Sequence, residues 1–259
     1  MKRARGDARH LWLALSLMIP AAMAAVADES KEGEKQMAAE KSLTVRWFGQ
    51  ACFSYTDNEG LCVLNDPFPE GFGYPSPDAE PRVCLISHEH KDHNSVENVK
   101  GSPTVIRGVG AHEASGLLFT GIATCHDNEG GAKRGPNTVF CWEMAGVRIV
   151  HLGDLGHELS DEQVEQIGRV DVLAIPVGGY YTIDATQAVA TATRLGARVV
   201  LPMHYRTLAV PRLPIGTVED FLAALPTDWK VEKPETLTIA LRATDLAGDA
   251  VRVIVLAHE

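Results

Sequence analysis

Three histidines and an aspartate within six residues, His88-Glu89-His90-Lys91-Asp92-His93, follow directly on the apolar run Val83-Cys-Leu-Ile-Ser87. Such a run reads as a buried strand, so the polar cluster leaves the core at that strand's end, where loops build sites. In extended chain, residues i and i+2 project to the same side, so His88 and His90 can grip one cation together. If the chain then turns into a helix, Asp92 and His93 enter the same cleft from a different angle and suit a second cation. Imidazole and carboxylate donors fit Zn2+, with Mn2+ or Fe2+ as alternatives, and no thiolate stands in the cluster. A lone histidine is more often packed than liganding; four such groups directly after a buried strand are not readily explained that way.

The surrounding pattern is α/β. Strand patterns run over residues 44–48, 52–56, 61–65 and 83–87, then 104–106, 138–142 and 147–150, then 172–176 and 199–202, with two more near 237–241 and 251–256. Asp57-Asn-Glu-Gly60 is turn chemistry; a turn at Asn58-Glu59 would set Cys62 opposite Tyr55. Ser160-Asp-Glu-Gln163 is a capping box whose helix should stop at Gly168, and Asp184-Ala-Thr-Gln187 opens another that should stop at Gly196. Thr217 can cap a short helix through Leu225. Strands interleaved with helices imply layers of helix over sheet, in one domain over residues 42–259.

Three later segments carry further donors: Thr124-Cys-His126-Asp127, His151-Leu-Gly153-Asp154 and Pro202-Met-His204-Tyr205. Asp154 follows an apolar run, where an isolated carboxylate is costly to desolvate and a cation would offset that cost. His151 lies an odd three residues before Asp154, which in a strand turns it to the opposite face; with His112, His157 and His258 it reads as structural or exposed. Metal-bound imidazoles usually donate their other N–H to an acceptor. Asp66, in Asn65-Asp-Pro-Phe68, is the first candidate for that acceptor, against the plainer reading of a turn-initiating Asp, and Asp127 is the second. Arg134, Asn137, Tyr180, Tyr181 and Arg206 are candidates to face a substrate, Arg134 as a bidentate partner for phosphate or carboxylate.

The segment Ser87-His-Glu-His-Lys-Asp-His93 resembles the H-x-H-x-D-H signature of the metallo-β-lactamase superfamily, and the other three segments resemble its later motifs in order. The resemblance runs through most of residues 44–205. It implies a four-layer αββα sandwich with the site at the edge between two sheets. It implies one metal held by His88, His90 and His126, a second held by Asp92, His93 and His204, and Asp154 bridging them. It implies a hydrolase in which hydroxide shared by cations about 3.5–4 Å apart attacks an ester, lactone or phosphodiester, with Asp92 or Asp154 handling protons. Asn65-Asp-Pro-Phe68, Arg134-Gly-Pro-Asn-Thr138 and Pro176–Asp184 are similar to the branch containing L-ascorbate-6-phosphate lactonase.

Two rival classes are a diiron redox enzyme on the same scaffold and a metal-binding protein without catalysis. The first typically has Glu where His90 stands, and the second usually loses a ligand. A net charge of −10 disfavours nucleic acid, whose phosphates need clustered Lys and Arg, leaving a small molecule as the expected partner. Lys2, Arg3, Arg5 and Arg9, the apolar stretch 11–23 and Ala25-Val-Ala27 order themselves as a secretory signal peptide at 1–27. That predicts export to the periplasm or the outside of the cell and no integral span after cleavage. Residues 28–41 read as a flexible linker. Five cysteines permit disulfides after export, but their odd number and apolar settings read as buried free thiols.

Overall fold

The computed structural model describes residues 41–248 and 250–258. The signal segment at 1–27 and all but the last residue of the linker at 28–41 lie outside the described residues.

Fourteen strands are described, β1 Leu43–Gly49, β2 Cys52–Asp57, β3 Cys62–Asn65, β4 Val83–Ile86, β5 Thr104–Arg107, β6 Gly110–Ala114, β7 Leu117–Cys125, β8 Pro136–Met144, β9 Val147–His151, β10 Val172–Pro176, β11 Val199–Met203, β12 Lys230–Glu232, β13 Thr238–Leu241 and β14 Arg252–Ile254. They form two sheets, ordered β13-β1-β2-β3-β4-β5 and β12-β14-β11-β10-β9-β8-β7-β6. Alternation decides which face each side chain takes. Val45, Trp47, Phe53, Tyr55, Val63, Val83 and Leu85 point between the sheets and pack with Phe140, Trp142, Ile149 and Val172 of the other sheet. Their neighbours Phe48, Cys52, Leu64, Cys84 and Ile86 point outward, under Phe68, Tyr74 and Val210.

Three α-helices are described, α1 Asp161–Ile167, α2 Ala185–Leu195 and α3 Val218–Ala223. Ser160 and Asp184 form the capping boxes predicted for α1 and α2, and Gly168 and Gly196 end them. Helix α2 packs on β10 and helix α1 on β7, covering the eight-stranded sheet. The six-stranded sheet is covered in part by the apolar loop residues Phe68, Phe72 and Tyr74. This is the αββα arrangement expected, with a thinner second outer layer among the described residues.

Three expectations are corrected. The first hairpin pairs Thr56 with Cys62 and Tyr55 with Val63, one residue out of the predicted register. Asp57 causes the slip: its carboxylate accepts from the backbone N–H groups of Glu59 and Leu61, widening the turn. Asp92 and His93 do not sit on a helix; the chain makes a single turn in which His93 N–H donates to the His90 carbonyl, and a short 3-10 helix begins only at Val96. The hairpin β6–β7 was not expected as a pair of strands, because β6 is short, largely exposed and not apolar. All five cysteines are free, four buried and Cys125 half-buried. No helix among the described residues is long and apolar enough to cross a membrane.

Candidate metal centre

The C-terminal ends of five strands, drawn from both sheets, converge. Asp66 follows β3, the His88–His93 segment follows β4, His126 follows β7, Asp154 follows β9 and His204 follows β11. The sheets are tied together there, because Thr138 N–H donates to the Ser87 carbonyl and His204 N–H to the Gln50 carbonyl. Gln50, Asp66 and His204 adopt φ of 49°, 45° and 51°. Non-glycine residues in this left-handed region are held against their own preference and concentrate at functional sites.

In each of three sets the donor atoms lie within 4.8 Å of one another: His88, His90 and His126 form one donor group; Asp92, His93 and His204 form a second; and His88, His93 and Asp154 link the two. Asp154 joins them. Its Oδ2 lies 3.1 Å from His126 Nε2, 3.2 Å from His204 Nε2, 3.3 Å from His93 Nε2 and 3.9 Å from His88 Nε2. His88 Nε2, His93 Nε2 and Asp154 Oδ1 are buried without a hydrogen-bond partner. Buried polar atoms are otherwise almost always satisfied, so unpartnered donors of this kind facing one point fit a cation. The neutral-nitrogen and carboxylate set fits zinc, manganese or iron.

Electrostatics follow from burial. His88 loses water and is pushed down to about 3, and so stays neutral. Burial also opposes a charge on His93, but Asp154, Asp92 and Asp66 around it outweigh that and raise its pKa well above the ordinary imidazole value. The imidazoles in turn hold Asp154 well below the carboxylate range against its own desolvation.

Asp66 hydrogen-bonds an imidazole of the donor set. Its Oδ1 accepts from Ser87 N–H at 2.8 Å, and its Oδ2 accepts from Ser87 Oγ at 2.6 Å and from His93 Nδ1 at 3.1 Å. Because the Ser87 hydroxyl hydrogen goes to a carboxylate, Ser87 Oγ accepts from His88 Nδ1 at 2.9 Å. One carboxylate thus fixes one imidazole of each donor group with its Nε2 turned to the cleft. His151 is structural, as read: its Nε2 donates to the Ala51 carbonyl and its Nδ1 accepts from Gly153 N–H.

Other expected roles are corrected. Asp127 touches no metal-donor imidazole by hydrogen bond; it accepts from the backbone N–H groups of Glu129, Gly131, Lys133 and Arg134 and braces the loop. Asn137 is buried and does not face the cleft. Its Nδ2 donates to Thr124 Oγ1 and the Leu152 carbonyl, and its Oδ1 accepts from Asp154 N–H, so it sets the chain direction at Asp154. Arg206 lines a neighbouring groove with Thr207, Leu208 and Lys233, because the left-handed turn at His204 sends the following chain away. The Tyr180 side chain is exposed and does not line the cleft, although its carbonyl accepts from Arg134 Nη2.

The cleft over the donors measures about 430 Å³ and is lined by His90, Lys91, Asp92, His126, Asp154 and His204 together with Gln50, Pro69, Phe72, Arg134, Tyr181 and Leu213. Gln50 was not foreseen. Its Nε2 donates to Asp92 Oδ2 at 2.9 Å, while its carbonyl receives His204 N–H and Trp47 Nε1–H. A single Gln in the break between two strand patterns carries no periodic signal; only its place in a tight Gly49-Gln50-Ala51 turn hints at a constrained residue.

Residues 44–204 match the family described as the beta-lactamase superfamily domain. A UPF0173 metal-dependent hydrolase of Methanoculleus marisnigri is 30% identical over 194 residues, covering 66% of this chain and 84% of the relative. One from Thermoplasma volcanium is 28% identical over 219 residues, covering 74% and 97%. A crystal structure of a Thermotoga maritima protein, assigned to the Zn-dependent hydrolases of the metallo-beta-lactamase superfamily, shares 34% identity with a TM-score of 0.66, covering 83% of this chain and 98% of that one. The metallo hydrolase Igni18 of Ignicoccus hospitalis, at 20% identity and TM-score 0.57, shares the fold over 84% of this chain and 97% of its own.

Proposed function

The chain belongs to the beta-lactamase superfamily, as a metal-dependent hydrolase, and from that premise we propose a two-metal enzyme that cleaves an ester, lactone or phosphodiester bond of a small molecule. The observation that carries the reading is Asp154 Oδ2, which stands 3.1 Å from His126 of one donor group and 3.2 Å from His204 of the other.

In this reading His88, His90 and His126 hold one cation, Asp92, His93 and His204 hold the second, and Asp154 serves both. Two divalent cations, zinc first and manganese or iron as alternatives, supply Lewis acidity there when bound: they polarise the substrate oxygen and let water ionise near neutral pH. The protein's own groups do the rest. Asp66 and Ser87 keep the Nδ1 protons of His93 and His88 away from the cleft. Gln50 engages Asp92 Oδ2, which leaves Asp92 Oδ1 as the atom to take up a proton during turnover. Asn137 holds the Asp154 backbone. Pro69, Phe72 and Leu213 exclude water from one side of the reacting bond.

The leader-like order of basic, apolar and Ala-x-Ala segments at residues 1–27 supports a site of action outside the cytoplasm. The Arg134–Thr138 and Pro176–Asp184 segments support a lactonase-like branch within the family.

The test is a panel of neutral and charged esters, lactones and phosphodiesters, run with zinc and with manganese on wild type and on Asp154→Asn. We expect one bond class to be cleaved with metal and lost by at least about a thousandfold in the variant, a loss of about 4 kcal/mol in transition-state stabilisation. Turnover that survives Asp154→Asn would break the two-metal reading.

A further inference from the structure

We infer that the substrate is a small amphiphilic anion whose carboxylate or phosphate end is received by Arg134 on the wall of the metal cleft. This rests on the hydrolase reading for what happens to that substrate, but the binding site itself stands on separate residues.

Arg134 lines the cleft, and no carboxylate pairs with it among the described residues. Arg107, Arg194 and Arg252 each meet a carboxylate away from the cleft, whereas Arg134 is the arginine among the described residues that lines it. Its seat is built. The Asp127 carboxylate accepts the Arg134 backbone N–H at 2.7 Å and three more from the same loop. Its Nη2 donates to the Tyr180 carbonyl at 3.1 Å, and its guanidinium carbon lies 5.4 Å from the centre of the Tyr181 ring. One of five N–H donors is therefore engaged by that carbonyl, and a fork remains that suits a planar carboxylate or a phosphate. A side chain already held in place gives up little conformational entropy when a ligand arrives.

Lys91, also on the cleft wall and also without a carboxylate partner among the described residues, adds a second positive charge. Its neighbour Glu89 is taken by Arg107 at 3.0 Å. Pro69, Phe72 and Leu213 give the wall an apolar part. An apolar body with one anionic end is complementary to both this apolar part and the two cationic side chains.

The test is calorimetric titration of the full, metal-loaded protein with three probes: N-phenylsuccinamate, 2-phenylethyl phosphate and neutral acetanilide. At least one anionic probe should bind wild type tenfold or more tightly than acetanilide, and the tighter of the two identifies the anion as carboxylate or phosphate. Arg134→Gln should erase that margin. Arg134→Lys should retain part of it, since it keeps the charge and loses the fork. Asp154→Asn should leave the margin standing. Circular dichroism and urea midpoints confirm that each variant is folded; should Arg134→Gln not fold, the wild-type to Arg134→Lys difference decides. The proposal is overturned if no margin exists in wild type, if it survives Arg134→Gln, or if it vanishes in Asp154→Asn while surviving in Arg134→Gln, which would put the anion on the metal donors instead. An Arg134-dependent margin in a protein that cleaves nothing would sink the hydrolase reading and leave this one intact.

Discussion

The Asp66 carboxylate lies 3.1 Å from Nδ1 of His93, and neither side chain has any exposure to solvent. The same oxygen accepts the Ser87 hydroxyl that in turn receives His88 Nδ1–H. An Asn at position 66 would offer one acceptor oxygen and one donor amide to a site that presents three donors. Asp66→Asn should therefore loosen an imidazole in both donor groups at once. Removing an acceptor that orients a metal ligand costs about 10–100-fold in metal affinity. Competition against a chromogenic chelator measures it, and two cations lost together rather than one is the signature. Unchanged affinity for both would mean that packing alone orients the rings.

Gln50 touches only one donor group. Its amide holds Asp92 and its carbonyl holds the backbone of His204. Gln50→Leu keeps the carbonyl and deletes the amide, so it should weaken the cation at Asp92, His93 and His204 by about tenfold, the lower end for such partners. The cation at His88, His90 and His126 should keep its affinity. Stepwise titration followed by mass spectrometry separates the two, and equal weakening of both would rule out the assignment.

The proton on His93 gives a pH dependence. Its folded pKa is raised, so in metal-free protein this group contributes stability that is fully present below its unfolded value of ~6.5 and is lost as pH rises through the raised value. His88 has the opposite sign: pushed down to about 3, it contributes stability present above ~6.5 and lost as pH falls toward the lowered value. Metal-free protein should thus weaken on both sides of neutrality. Cation uptake must displace the His93 proton, so affinity should climb by up to ~tenfold per pH unit above neutrality. Calorimetry in two buffers of different ionisation enthalpy counts the protons released, and a count of zero at pH 7 would contradict the raised value.

How much of this was legible follows from where the signal sits. The His88–His93 segment announces itself because several donors share one strand end, and the capping boxes of α1 and α2 are local patterns that tertiary contacts do not override. Asn137, Asp127 and Arg206 were misassigned because their roles depend on partners far off or on backbone direction. Asn137 serves Asp154, seventeen residues on, with its amide turned inward. Asp127 satisfies its own loop before it can reach a ligand. Arg206 is carried away by a left-handed His204 that no propensity predicts. Strand β7 hides because Gly121 interrupts its apolar pattern at a point where the Gly108 carbonyl comes too close for any side chain.

Gly153 offers the sharpest mutational test of that geometry. Its φ is +54°, and a Cβ there would stand 2.4 Å from Asn137 Oδ1 and 2.6 Å from Ser87 Cβ. Both neighbours are braces: Asn137 Oδ1 accepts the Asp154 N–H, and Ser87 links Asp66 to His88. Neither is the loose end of a long side chain, so crowding must move the turn that carries Asp154. The backbone conformation adds a cost of its own, about 1 kcal/mol when Gly becomes Ala at positive φ. Gly130 isolates that second cost, since its φ is +68° and nothing lies within 4 Å of the position its Cβ would take. Gly130→Ala should therefore lose about 1 kcal/mol in urea unfolding with metal affinity intact. Gly153→Ala should lose more and also weaken cation binding by about tenfold or greater. If the two variants behave alike, the contacts around Gly153 have no part in holding Asp154 between the two donor groups.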